Sequence, residues 1–369
     1  MKKVATLSFQ HAYNYGAVFQ VTALQYILES MGTECYIIDY RCPAIDSQYN
    51  LKPLKFNSSL FKSIRANLIL LPFIKAKKKN FTNWMNNYKR TAVLSKDQLY
   101  LLNDQYDYFI VGSDQVWNMK CHGYDLSFFL DFVHDDSKKI AYAASFGTFD
   151  ICETDRELYK FFLSKFSSIS VRELSGGKLV EDLLSKETLT CMDPVLLAGK
   201  KFWKSKANYS NIPTQNQYIF VYQLGHDKLL PDYVRALKKA TGLKVVYITG
   251  HIGNMVHYSI FDKNESSASP ERFLALISNA EYVVTNSFHA CVLSILFDKQ
   301  FFVVSNGGEK ASYNTRIYNL LADYNLLDCI VDTFSSKHLN ISRKYYEIHD
   351  LLKHSSVQSI NFIKTSLML

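Results

Sequence analysis

Short apolar runs alternate with longer amphipathic stretches along most of the chain. Val4–Phe9, Cys35–Asp39, Tyr108–Val111, Lys139–Ala144 and Ser167–Val171 are compact and rich in apolar residues, and they predict buried strands. Between and after them, Ala17–Met31, Thr154–Phe166 and Leu174–Ser185 carry helical spacing of apolar positions. The pattern restarts in the second half. Tyr218–Tyr222, Lys244–Ile248, Tyr282–Thr285 and Phe301–Val304 predict strands, and Pro231–Thr241, Pro270–Asn279, Phe288–Phe297 and Tyr313–Asp323 predict helices. Such alternation implies parallel sheets with helices on both faces. Asp193-Pro194 reads as the loop entry that closes the first half, and the polar stretch Asn208–Gln217 reads as a linker. The expected fold class is therefore α/β, with two doubly wound, Rossmann-like domains at 1–207 and 208–341 facing across a cleft. The tail, 342–369, is helical in pattern and is expected to pack back on the first domain. Ligands of open parallel sheets bind beyond the carboxyl ends of the strands, so polar residues at strand ends carry the most weight.

Composition narrows the class. At 369 residues the chain exceeds one ordinary core, and two domains of roughly 150–200 residues are the default. With 48% hydrophobic and 21% charged residues it is globular rather than disordered. The apolar run at the N-terminus is too short for a signal peptide. The most apolar stretch, Leu68–Ile74, contains a proline and falls far short of the roughly 20 residues of a membrane span. A cytoplasmic location is expected. The seven cysteines are odd in number and scattered without a C-x-x-C pair, which suits reduced thiols and not a disulfide framework or zinc site. The ten histidines lack H-x-x-x-H spacing, and no metal is expected.

Four segments at predicted strand ends could carry chemistry. Asn14-Tyr15-Gly16-Ala17 opens a helix after the first strand, and a glycine there lets a ligand approach backbone N–H groups. A plain strand–helix turn explains it equally well. Ser113-Asp114-Gln115-Val116-Trp117-Asn118 places a dense polar and aromatic set after a strand, suited to sugar hydroxyls and an apolar sugar face. Asp114 could also take a proton from an attacking hydroxyl; the structural alternative is a turn with Asp114 as a cap. Arg172, in Ser170-Val171-Arg172-Glu173, could hold a carboxylate or phosphate through both arms of its fork, or simply pair with Glu173. In Thr285-Asn286-Ser287-Phe288-His289, Ser287 is a natural N-cap, which sets His289 in the first helical turn beside the positive end of the dipole. Lys310 and Arg316 could add positive charge to the same cleft, although a surface role is the simpler account of Lys310. Gly250-His251-Ile252-Gly253-Asn254 is a weaker candidate.

Together these segments resemble the polysaccharide pyruvyl transferase family. The matching pieces are Asn14-Tyr15-Gly16-Ala17, Gly112 to Asn118, Tyr142-Ala143-Ala144-Ser145-Phe146-Gly147, Ser170 to Glu173, Asp193-Pro194-Val195-Leu196-Leu197, Ser269-Pro270-Glu271-Arg272-Phe273, Asn286-Ser287-Phe288-His289-Ala290 and Arg316, in order along most of the chain. The resemblance implies a fold like that of GT-B glycosyltransferases. It also implies transfer of pyruvate from phosphoenolpyruvate, a co-substrate rather than a cofactor, onto two sugar hydroxyls as a cyclic ketal. Catalytic roles would fall to His289, Asp114 and Arg172. Phosphoenolpyruvate would meet Arg172, Asn286, Ser287, His289, Lys310 and Arg316. The acceptor would meet Asn14, Gly16, Ser113, Asp114, Gln115, Trp117, Asn118 and Ser145. Some family members carry arginine two residues before the histidine; here that residue is Ser287, which shifts the anion-holding role to Arg172 and Arg316. A nucleotide-sugar glycosyltransferase of the same fold and a non-catalytic carbohydrate-binding subunit remain competing readings.

Charge adds one further expectation. Segment 47–96 holds eleven Lys or Arg residues and no Asp or Glu; removing them from the 42 basic residues leaves 31 against 34 acids. Leu60, Phe61, Ile64, Leu68 and Leu71 share a helical face, Pro72 is expected to break it, and a lysine-rich stretch with Phe73, Phe81 and Trp84 follows. Such a segment could dock on an anionic membrane surface, in keeping with a lipid-linked oligosaccharide as acceptor, or it could be a solvated insertion. No nucleic-acid-binding signature accompanies the charge.

Overall fold

The computed structural model describes residues 1–48, 60–148, 150–212, 217–225, 229–249, 260–304, 311–341 and 343–369, with the backbone alone at 60–70 and 311–314. Within them lie two six-stranded parallel sheets. The first contains β1 (Lys3–Leu7), β2 (Glu34–Ile37), β3 (Tyr108–Gly112), β4 (Lys139–Ala144), β5 (Ser168–Val171) and β6 (Leu189–Thr190), in the order β2-β1-β3-β4-β5-β6. The second contains β7 (Tyr218–Gln223), β8 (Lys244–Thr249), β9 (Lys263–Asn264), β10 (Tyr282–Thr285), β11 (Gln300–Val304) and β12 (Ile330–Val331), in the order β12-β11-β10-β7-β8-β9. The helices of the first half are α1 (Tyr15–Ser30), α2 (Pro43–Ser47), α3 (Leu60–Met85), α4 (Met119–His122), α5 (Arg156–Leu163), α6 (Leu174–Leu184) and α7 (Pro194–Lys206). Those of the second half are α8 (Leu229–Thr241), α9 (Pro270–Asn279), α10 (Phe288–Leu296) and α11 (Ala311–Asp323), followed by the tail helix α12 (Tyr345–Ser366). This is the expected α/β, GT-B-like architecture of two Rossmann-like halves.

Helix α1 explains how the halves are held. Thirteen of its 16 residues are buried, far more than one apolar stripe. A helix buried on nearly all sides must be covered on nearly all sides. Here β2 lies on one side and α7, α9 and α10 on the other. Tyr15 stacks on Phe273 with ring centroids 4.2 Å apart, and Phe19 meets Trp84 and Trp203 edge-on. Each fully buried aromatic of this kind contributes roughly 1.5–3 kcal/mol. One continuous core therefore ties the two sheets together and turns their strand ends toward each other.

The tail helix crosses both halves. Tyr345 donates through its hydroxyl to the Lys299 carbonyl, and the Ser359 hydroxyl accepts from the Met192 N–H at 2.9 Å. Ile363 and Leu367 enter the core cluster of Val4, Leu24 and Tyr142.

The basic segment differs from expectation. Helix α3 runs without interruption through Pro72. An internal proline costs about 3 kcal/mol; what outweighs it is the packing of the following turns, where Ile74, Phe81, Trp84 and Met85 are buried. Phe81 and Trp84 are thus core residues and not membrane-facing aromatics. Residues 49–59 lie outside the described residues. Among the described residues no helix is long and apolar enough to cross a membrane.

Candidate active site

Residues just beyond the carboxyl ends of β3, β5 and β10 converge on one carboxylate. Asp193 caps α7, its Oδ1 accepting from the Val195 N–H at 2.9 Å. Its Oδ2 accepts from the Ser113 hydroxyl at 2.9 Å and from Arg172 Nη1 at 3.0 Å. His289 Nε2, from the other half of the molecule, stands 3.4 Å from the same oxygen, an ion-pair contact without a formed hydrogen bond. Burial alone would raise the Asp193 pKa, but His289, Arg172 and the Val195 N–H outweigh it and hold the carboxyl well below the usual range.

Arg172 is buried and saturated on one side only. Its Nε donates to Glu173 Oε1 at 2.8 Å, and the Ser145 hydroxyl donates to that same oxygen at 2.9 Å. Its guanidinium lies over the Phe288 ring, 4.3 Å from the centroid, while Nη2 is enclosed with no partner. Burial would lower its pKa; Glu173, Asp193 and Asp114 raise it instead, so the charge is permanent. Arg316 reaches the same ring from α11 at 6.0 Å, and its enclosed Nε also lacks a partner. Burial and then the Arg172 charge lower the Arg316 pKa, and no carboxylate lies within ion-pair distance of it among the described residues. Two guanidiniums thus share one aromatic platform and repel each other. An anion placed between them would relieve both the repulsion and the unused donors. A cavity of about 70 Å³ adjoins them, lined in part by Arg172, Glu173, Asp193, Phe288 and Arg316. That is room for several waters or one small anion.

Local backbone strain aims the polar groups. Ala143 has φ 48°, where β4 bulges against β5 between Ala141 and Ala144. Asp114 has φ 67°. Positive φ at non-glycine residues is uncommon and clusters at functional sites. Bulge and kink meet, because the Ser145 N–H donates to the Asp114 carbonyl at 3.1 Å.

Gly16 is required by a close approach. A Cβ there would lie 2.0 Å from His289 Nδ1. The imidazole therefore rests against the first turn of α1, with Nε2 toward Asp193, and joins the two halves.

Several residues expected at the ligand do other work. Trp117 is fully buried among Phe129, Phe146 and Phe166, so it cannot stack on a sugar. Its position after a strand made it look available, but the chain turns it into the core. Ser113 and Ser145 are fully buried and hold Asp193 and Glu173. Asn286 clamps both backbone groups of Leu224, at 2.7 and 2.8 Å. Asn14 caps α1 through the Gly16 N–H. Asn118 donates to Gln115 Oε1, and that amide is packed over Gly147. Ser287 occupies the N-cap position of α10 but makes no side-chain cap bond; Thr285 Oγ1 accepts its N–H instead. Lys310 and the 250–254 segment lie outside the described residues. The structure brings His289, Arg172, Arg316 and Asp114 into one electrostatic neighbourhood. It adds Phe288 as an aromatic platform and Asp193 as a hub, and it shows Arg172 making the ion pair that its sequence neighbour Glu173 offered. The Asp-Pro pair announces a cap, but nothing local announces that its second oxygen gathers three other chain segments.

Comparison with known proteins agrees with this architecture. A family model described as polysaccharide pyruvyl transferase matches residues 14–308. A comparison with curated proteins finds no match. Among solved structures, the chain resembles S. aureus MnaA in its co-structure with UDP, with a TM-score of 0.54, 14% identity, and coverage of 100% of this chain and 98% of that one. It resembles a putative UDP-N-acetylglucosamine 2-epimerase from Listeria monocytogenes, with a TM-score of 0.52, 11% identity and coverage of 97% and 90%. The wall teichoic acid polymerase TagF matches with a TM-score of 0.53, 10% identity and coverage of 100% and 89%. At these identities the likeness concerns the fold.

Proposed function

The chain belongs to the polysaccharide pyruvyl transferase family, and from that premise we propose that its cleft moves the pyruvyl unit of phosphoenolpyruvate onto two hydroxyls of a sugar, forming a cyclic ketal and releasing phosphate. The observation that carries this reading is the Arg172–Phe288–Arg316 platform, whose enclosed, unpartnered Nη2 and Nε lie in the neighbourhood of His289. Phosphoenolpyruvate has two anionic groups and a nucleophilic methylene carbon. Arg172 and Arg316 would hold the anions. His289 would protonate the methylene, creating an oxygen-stabilised cation. A sugar hydroxyl attacks that carbon and loses its proton. The second hydroxyl then displaces phosphate, which leaves with the remaining proton. Asp193 would orient the imidazole, and Asp114 would accept a hydrogen bond from the sugar. The acceptor would be a sugar of a lipid-linked polysaccharide precursor, and the exposed Phe73, Lys75 and Lys79 of segment 47–96 would help dock the protein on the membrane that carries it.

Incubation with phosphoenolpyruvate and a panel of lipid-linked glycans tests this, with the mass gain of a pyruvyl ketal and stoichiometric phosphate as readouts. Release of nucleoside diphosphate from a sugar nucleotide would favour a glycosyltransferase instead. Removing a positioned acid costs about 10²–10⁴-fold, so His289→Ala should lose nearly all turnover while staying folded. Activity near the native level in that variant would remove His289 from the reaction.

A further inference from the structure

The first strand ends in a loop that the reaction above leaves unused, although Gly16, the residue against which His289 rests, closes that same loop. His11 lies in it. Its Nε2 is hydrogen-bonded to Asp39 Oδ1, just beyond β2. Arg90 Nη1 holds the other oxygen, Oδ2, at 2.9 Å, and Arg41 Nε stands 3.4 Å from Oδ1. Only 4% of the Asp39 side chain is exposed. Burial would raise the Asp39 pKa, but His11, Arg41 and Arg90 together lower it, so the carboxylate is charged. A carboxylate at Nε2 accepts from an N–H there, which leaves Nδ1 as the ring nitrogen that can face a ligand. No partner engages Nδ1 among the described residues. The preceding residue, Gln10, is buried, and its Oε1 is an enclosed acceptor with no donor, while its amide is tied to the Tyr40 carbonyl at 2.9 Å.

A carboxylate that orients an imidazole whose other nitrogen is free is the arrangement of a general base. Asp114 is placed differently. Its carboxylate accepts from the Gln115 N–H at 2.9 Å and interacts with Arg172 and Arg316, so cations and a backbone N–H already engage it and it serves to orient the acceptor rather than to take its proton. We propose that His11 is the catalytic base that removes the proton from the attacking sugar hydroxyl, with Asp39 as its positioning residue and the β1–α1 loop as the acceptor side of the cleft. The inference rests on the pyruvyl-transfer reading. In that step the hydroxyl oxygen bonds to the cationic carbon, its proton passes to His11 Nδ1, and the imidazolium returns the proton to solvent. His289 supplies the proton gained by the methylene, so the two imidazoles work in opposite directions.

The charged and titratable groups facing His11 are Asp39, Arg41 and Arg90, with Tyr13 nearby interacting with both Arg41 and Asp46. The test uses the full chain with phosphoenolpyruvate and three methyl hexosides bearing free 4- and 6-hydroxyls, the gluco, galacto and manno forms, followed by phosphate release. His11→Gln should cut kcat about 10²–10⁴-fold with an unchanged melting temperature. Asp39→Asn should cut kcat less than His11→Gln does and leave KM for the hexoside unchanged. Exogenous imidazole should partly rescue His11→Ala. His11→Gln retaining native kcat, or Asp39→Asn raising KM with kcat intact, would overturn this assignment alone. No phosphate release by the native protein with any of the hexosides or with the lipid-linked glycans would overturn the pyruvyl-transfer reading and this one with it.

Discussion

The contact between Gly16 and His289 makes one substitution unusually informative. In Gly16→Ala the new methyl would sit 2.0 Å from His289 Nδ1, 2.5 Å from Cγ and 2.7 Å from Cε1. Ordinary carbon contacts lie at about 3.5–4.0 Å, so the ring must retreat by about 1.5 Å. Such a shift also displaces Nε2 from its 3.4 Å position beside Asp193. Overpacking of this kind costs about 1–3 kcal/mol. Alanine in a helix recovers roughly 0.5–1 kcal/mol over glycine, and Gly16 lies in the first turn of α1. The net destabilisation should therefore be small, about 0–2 kcal/mol. Turnover should suffer far more, since a misplacement of 1 Å in a catalytic group costs about 10²-fold. The discriminating assay is a double-mutant cycle read by urea unfolding. With the ring gone in His289→Ala, adding Gly16→Ala should become neutral or stabilising by up to about 1 kcal/mol, leaving a coupling of about 1–3 kcal/mol between the two positions. Equal effects of Gly16→Ala in both backgrounds would show that the imidazole does not rest on α1, and the site geometry would have to be redrawn.

Three other measurements follow from the same physics. The Asp193 carboxyl is held low in the folded chain, so its stabilisation is complete above the unfolded carboxylate pKa of about 3.9 and is lost as pH falls below it. Thermal scans between pH 7 and 3 should show Asp193→Asn less stable than the native protein at neutrality but with a shallower acid decline. Lys77 is 6% exposed over the Tyr15 and Phe81 rings, and burial lowers its pKa to about 8. A base whose folded pKa is depressed makes stability rise with pH between that value and about 10.4. Lys77→Met should abolish this rise and stabilise the protein at pH 7 by at most about 3 kcal/mol; a variant less stable than native at pH 7 would contradict the burial penalty. Trp117→Ala should cost about 3–5 kcal/mol of stability, whereas Trp117→Phe should leave the acceptor KM unchanged; a large rise in KM would return this ring to the sugar site.

What could be read from the sequence and what could not divide along a physical line. Strands β1, β4, β10 and the helices after them were legible because each buries a continuous apolar run or stripe, a property local to a few turns of chain. The two-residue edge strands β6, β9 and β12 have too little pattern to announce themselves. Helix α3 shows local signal losing to packing: Pro72 marks a break, yet the buried Phe81 and Trp84 beyond it carry the helix through. At the site the same division holds. Strand-end position was enough to single out His289 and Arg172. It could not tell a side chain that faces the cleft from one that turns into the core, and so Trp117, Ser113 and Ser145 were placed at the ligand. Nor could it find Asp193 as the meeting point of Ser113, Arg172 and His289, because those contacts join residues 80, 21 and 96 positions away in the chain. Ser287 shows the consequence. Without a cap bond from that side chain, the start of α10 depends for its order on distant groups, on Thr285 behind it, Phe288 under two guanidiniums and His289 against Gly16. The site geometry therefore depends on both halves and belongs to neither alone. A substitution that loosens the α1 interface should lower turnover before it lowers the stability of either sheet.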